Sequence, residues 1–200
     1  PMEIIADSTE QIYVRPKSDV DSEVLKNVKL TTAFVPPMTG LGTAEPVYQP
    51  PKIEQLLGLG RPGEVLRNLL VEANRLDVFH ELQGSMFEMF GCGIDLPNDT
   101  GADILVEYED RPGGPKFDIA CAGTGFQQIL MLMTFLLTRP GSVLLIDEPD
   151  AHLHVLLQDQ IYNRLRALAA NSGSQLVIAT HSEVIINSVE PSALCALLDR

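Results

Sequence analysis

The sequence predicts an α/β fold with a parallel sheet over residues 101–200, preceded by a β-rich lobe and a helical lobe. Two apolar runs carry this expectation, Val143–Ile146 and Leu176–Ala179. Each is short and unbroken, the pattern of a strand inside a parallel sheet whose two faces are covered by helices. The segment between them, from about Ala151 to Ala170, reads as a helix. Strand, helix and strand then form one right-handed crossover, which sets the C-terminal ends of both strands side by side.

The elements ahead of this crossover follow from punctuation and period. Residues 1–50 hold strand-like pieces at Gln11–Val14 and Lys29–Val35, interrupted by Pro16, Pro36, Pro37, Pro46, Gly40 and Gly42, so this lobe is β-rich and irregular. Residues 51–100 turn helical. Val65, Leu66, Leu69 and Leu70 share one helix face, and Phe79, Leu82, Met86 and Phe90 share a face of the next; a stripe of this kind is ordinary core. Residues 101–200 open with a hairpin over Gly101–Asp118, in which Ile104, Val106 and Tyr108 alternate before Pro112, Gly113 and Gly114 make the turn. Helix, strand, helix, strand and helix follow, with a last strand near Leu194–Leu198.

Composition narrows the functional classes. With 200 residues and 45% hydrophobic content the chain can bury a substantial core. Its net charge of −13 argues against this segment clamping a nucleic-acid backbone, which leaves a basic footprint. Cys92, Cys121 and Cys195 have no CxxC spacing, which fits a reduced, cytoplasmic compartment better than a disulfide scaffold. No signal peptide is visible, and the longest apolar run, Ile129–Leu137, is too short to cross a bilayer.

Three clusters carry chemistry. Asp147 and Glu148 end the first buried run, and Pro149 cannot donate to a ladder, so both carboxylates stand where an open α/β sheet meets its ligands. One can hold a magnesium shell while the other takes a proton from water; the plain alternative is a charged turn. In Ala122–Gln128, AGTGFQQ, two glycines and a hydroxyl precede an apolar helix, whose free N–H groups and macrodipole favour an anion. The alternative is that Thr124 caps its own first turn. His181, after the second run, can donate to a phosphate oxygen or orient water beside Glu148, or be a satisfied, partly buried side chain.

VLLIDEP resembles the Walker B strand of ABC-type ATPases, the AAA-family group that includes chromosome-maintenance proteins, DNA-repair ATPases and the overcoming-lysogenisation-defect nucleases. DAHLH resembles their D-loop, QLVIATHS their switch strand and histidine, and CAGTGFQQILMLMTFLL their signature loop and helix. The likeness spans roughly residues 117–190. AFVPPMTGL and GRPGEVLRNLL also resemble an uncharacterised bacterial branch of such ATPases. The resemblance implies the signature-to-switch half of a P-loop ATPase acting on ATP with Mg2+. In it Asp147 arranges the metal, Glu148 is the general base, and His181 senses the γ-phosphate. Thr124 and Gly125 cap the nucleotide of a second subunit in an ATP-sandwiched homodimer, and Asp150 is a cofactor-binding residue in the loop that crosses the interface and touches the other subunit's site.

The phosphate loop itself, GxxxxGK[ST], does not occur in the chain. GLGRPG at Gly58–Gly63 formally satisfies GxGxxG, but no strand pattern precedes it, and it reads as a loop opening the helix GEVLRNLL. Because the family's phosphate loop lies N-terminal to these motifs, the expectation is a C-terminal fragment lacking it. Asp150, His152 and His154 alternate at a helix start and point apart, so capping and dimer contact suit them better than metal binding. Arg61 and Arg67 read as a salt-bridged helix face. The expected function is ATP hydrolysis driving a DNA-related or defence-related process. The alternatives are a non-catalytic interaction module and an ATP-regulated nuclease with its nuclease domain beyond Arg200.

Overall fold

The computed structural model describes residues 2–8, 11–16, 31–37, 40–151 and 153–195. The chain divides into two compact units, Pro1–Leu30 and Thr31–Arg200. In the first, β1 (Met2–Ser8) and β2 (Gln11–Pro16) form an antiparallel ladder from Met2↔Pro16 to Ala6↔Ile12, irregular between Ala6 and Ser8.

The second unit is α/β with a parallel three-stranded sheet. β3 (Thr32–Val35), β7 (Val143–Asp147) and β8 (Gln175–Ala179) lie in the order β3-β7-β8. Phe34, Leu145 and Val177 are in register across all three strands, and so are Ala33, Leu144 and Leu176. β7 and β8 are joined by α5 (Val155–Ser172), which packs against β8 and closes the expected crossover. Gly173, at φ 66°, ends α5 in the left-handed conformation that glycine adopts without strain and turns the chain into β8.

Between β3 and β7 the chain builds a helical layer and a small sheet. α1 (Pro50–Gly58) lies against β3, and α2 (Leu66–Arg75) and α3 (Phe79–Phe90) pack on α4 (Thr124–Thr138). Val65, Leu66, Leu69 and Leu70 are fully buried, as are Leu82 and Met86 of α3, so the helical stripes are core. α4 is mostly apolar and buried along nearly its whole length. Its Thr134 and Thr138 hydroxyls donate to the Leu130 and Thr134 carbonyls, so neither leaves an orphaned donor in the core. β4 (Gly93–Ile94), β5 (Glu107–Glu109) and β6 (Lys116–Asp118) form an antiparallel sheet; the hairpin expected over Gly101–Asp118 is the β5–β6 pair, shorter than its alternating pattern suggests.

Three expectations change. The apolar run of β7 predicts helices on both faces, but among the described residues only one face is covered. Ala33, Val35, Leu144 and Ile146 are buried, whereas Phe34, Leu145 and Val177 form an apolar row 45%, 39% and 56% exposed. Arg67 is salt-bridged as expected, to Asp118 at 2.6 Å and Glu45 at 4.0 Å, but not on an open helix face: its side chain is 1% exposed and its Nη1 also donates to the Gly42 carbonyl. Arg61 does pair at the surface, with Glu64. Leu194 follows a 3-10 turn at Pro191–Ala193 and belongs to no strand, and residues 196–198 of the expected last strand lie outside the described residues.

Candidate functional site

The C-terminal ends of β7 and β8 gather the acids and the histidine. The Glu148 N–H donates to the Ala179 carbonyl at 2.8 Å, carrying the β7–β8 ladder one residue beyond Asp147. Glu148 then takes φ 46°, a left-handed conformation unfavourable for a residue with a Cβ. The kink turns the chain away from the strand direction and leaves Glu148 Oε1 3.3 Å from His181 Nε2. The imidazole is 95% exposed and the carboxylate 26%, so the pair faces solvent rather than the core.

The loops behind this pair are braced to each other. The Thr180 hydroxyl donates to Asp150 Oδ1 and accepts from the Ser182 N–H, while the Ser182 hydroxyl donates to Gln158 Oε1 at 2.8 Å and accepts from the Ile185 N–H. Asp150 is thereby committed to Thr180 within its own chain. Sequence reasoning missed Thr180, Ser182 and Gln158; the hydroxyls flanking the histidine in ATHS were the available signal. His154 caps α5, its Nδ1 accepting from the Leu156 N–H, and helix α5 begins there rather than near Ala151. His152 lies outside the described residues.

Thr124 is the first residue of α4, and Gly123, its N-cap, supplies no side chain. Among the described residues no side chain caps the first turn of this 15-residue helix, whose leading N–H groups have no partner within the helix. Gly123 is exposed and Thr124 half-buried, whereas Gly125 is buried within the first turn. Among the described residues no hydrogen bond joins Thr124 to Glu148 or His181. The structure thus brings Asp147, Glu148, Asp150 and His181 to the C-terminal ends of β7 and β8, and Thr124 is not hydrogen-bonded to that group among the described residues.

Carboxylate oxygens are the hard donors that Mg2+ prefers, and Mg2+ is ordinarily held by one or two carboxylates together with phosphate and water. Asp147, half-buried at the strand end, fits that part. No group of three or more His, Cys, Asp or Glu side chains suited to hold a metal by themselves occurs among the described residues.

Residues 15–187 match the family described as "AAA domain, putative AbiEii toxin, Type IV TA system". The chain belongs to this AAA-domain family. Membership places it among ATPase-type nucleotide-binding domains. Among solved structures the family member is similar to the Smc head domain with an extended coiled coil bound to the C-terminal domain of ScpA from Pyrococcus furiosus. The identity is 15%, over 68% of this chain and 38% of that one, with a TM-score of 0.40. It is also similar to the Smc head domain with a coiled coil and joint from Pyrococcus yayanosii, at 16% identity over 70% and 30% of the two chains and a TM-score of 0.43. A third, the SmcHead bound to the C-winged helix domain of ScpA, gives 18%, 70%, 48% and 0.37. The chain spans less than half the length of each of these structures. Comparison with the curated proteins found no match. No helix of the described residues is long and apolar enough to cross a membrane.

Proposed function

We propose that this AAA-domain chain is the signature-to-switch half of an ATPase that hydrolyses ATP between two copies of itself in the cytoplasm. The observation that carries the reading is the Glu148–His181 pair at the ends of adjacent parallel strands, next to Asp147. A water placed against Glu148 would lose its proton to that carboxylate as it attacks the γ-phosphate, with His181 holding a phosphate oxygen. Asp147 would hold Mg2+, which when bound neutralises charge on the phosphates.

A phosphate loop supplied by residues outside this sequence completes the proposal. Its support is the uncovered sheet. Phe34, Leu145 and Val177 form a bare apolar row, and β8 is an edge strand among the described residues. A further strand and helix would bury this surface. Thr124 and the free amides of α4 belong, in this reading, to the nucleotide of the partner copy.

The test is mass by light scattering of the full-length Glu148→Gln protein, which should dimerise with ATP and revert to monomer with ADP. Gly123→Asp should block the dimer. The substitution suits the fold, because Gly123 has φ −60° and ψ 147°, nothing lies within 4 Å of an added Cβ, and Asp is a favoured N-cap. It nevertheless sets a carboxylate where a phosphate would approach. One mass with ATP, with ADP and without nucleotide rules out the nucleotide-controlled clamp.

A further inference from the structure

Arg67 is among the largest fully buried side chains of the protein, and nothing in the chemistry at the sheet edge uses it. It is the second residue of α2, remote in sequence from everything it binds. Its Nη2 donates to Asp118 Oδ1 at 2.6 Å and its Nη1 to the Gly42 carbonyl at 2.9 Å. Glu45 fixes the start of the same helix, accepting from the Arg67 and Asn68 N–H groups and from Asn68 Nδ2. Arg67 Nη1 also lies 4.0 Å from Glu45 Oε2, and among the described residues its Nε is buried without a hydrogen-bond partner.

What Arg67 reaches is the root of the loop in front of α4. The same Asp118 oxygen accepts from the Ala120 N–H at 2.8 Å and caps the 3-10 turn Ile119–Cys121, which runs through Ala122 and Gly123 into Thr124. From the other side, Gln127 in the first turn of α4 donates Nε2 to the carbonyls of Ile119, Ala120 and Ala122. The loop is clamped through its amide by a carboxylate and through its carbonyls by a buried amide. Arg67 keeps that carboxylate in place. Well-packed apolar side chains would stabilise this interior at least as well as an ion pair, so stability alone does not account for a buried arginine here.

We propose that Arg67 is a positioning residue: through Asp118 it sets the presentation of residues 119–124, and hence of Thr124 and the α4 amides, to the γ-phosphate of a partner copy. The proposal rests on the function proposed above. Asp118→Ser separates the two roles of the carboxylate, because serine caps a helical turn but is too short to reach Arg67. In the full-length protein the variant should bind ATP within about twofold of wild type, since its own phosphate contacts are untouched, while ATP-driven dimerisation weakens by about tenfold or more. Amide exchange at residues 119–123 should rise while that of β7 and β8 stays the same. Arg67→Met combined with Asp118→Ser removes both ends of that pair and leaves Glu45, 4.0 Å from Arg67 Nη1, with its donors from the residue-67 and Asn68 N–H groups and Asn68 Nδ2; it should regain stability over Asp118→Ser without regaining dimerisation, and it carries the same measurements if the single variant does not fold.

Recovery of both stability and dimerisation in the double variant would reduce Arg67 to a fold staple and overturn the proposal. So would unchanged exchange at residues 119–123, or dimerisation of Asp118→Ser within twofold of wild type while Thr124→Ala weakens it. If Thr124→Ala and Gly123→Asp both leave dimerisation intact, the reading of the loop as a phosphate cap fails instead.

Discussion

Glu148 Oε1 and His181 Nε2 stand 3.3 Å apart across the ends of two neighbouring parallel strands, and Glu148 occupies a left-handed backbone conformation to be there. Strain at a non-glycine residue persists where surrounding structure over-determines it. Here the ladder bond from the Glu148 N–H to Ala179 does so.

Glu148→Gly should therefore leave the fold intact and raise its stability by up to about 1 kcal/mol, because relief of the left-handed strain outweighs an exposed pair worth about 0–1 kcal/mol. Urea unfolding measures this, and a loss above about 1 kcal/mol contradicts the strain account. Glu148→Gln in the full-length protein should abolish turnover and keep nucleotide binding, since the amide preserves shape and loses basicity. Hydrolysis within a few-fold of wild type removes Glu148 from the mechanism.

Adjacent leucines on β7 should respond very differently. Leu144 is fully buried and Leu145 faces out of the sheet. Leu144→Ala in residues 1–200 should cost about 2–5 kcal/mol and Leu145→Ala less than about 1 kcal/mol. Equal losses in denaturant midpoint would mean that the outer face is covered in solution.

Residues 1–200 alone should bind Mg-ATP with a dissociation constant of order millimolar or weaker, because a phosphate loop supplies most contacts to the β- and γ-phosphates. Asp147→Asn in the full-length protein should weaken the magnesium dependence of binding or turnover. Micromolar binding to the 200-residue chain by calorimetry would sink the fragment reading.

Burial raises the Glu45 carboxyl above the ordinary carboxylate value, against the lowering effect of the donors from Arg67 and Asn68. A raised acid contributes stability that is fully present below its unfolded value and is lost as pH rises through the folded one. Wild type should therefore hold its greatest advantage over Glu45→Gln near pH 4 and lose part of it by about pH 7, in paired unfolding curves. An advantage that grows toward neutrality contradicts the direction.

The sequence by itself determined the strands, the helices between them and their acids, because each is a local pattern. An unbroken apolar run ending in Asp147 and Glu148, a helical period through Leu66, Leu69 and Leu70, and a second run ending before His181 need no distant partner to be recognised. The crossover rule then places Glu148 beside His181, and the structure has them in contact. Tertiary structure alone decided which way each side chain faces and what it holds. Leu144 and Leu145 are indistinguishable in an apolar run, yet pleat and register send one into the core and the other outward. Arg67 reads as part of a salt-bridged helix face, but its partner Asp118 is 51 positions away and the guanidinium is buried. Sequence pattern cannot pair two residues so far apart, because their meeting depends on how α2 packs against α4 and where the loop behind Thr124 is thereby set.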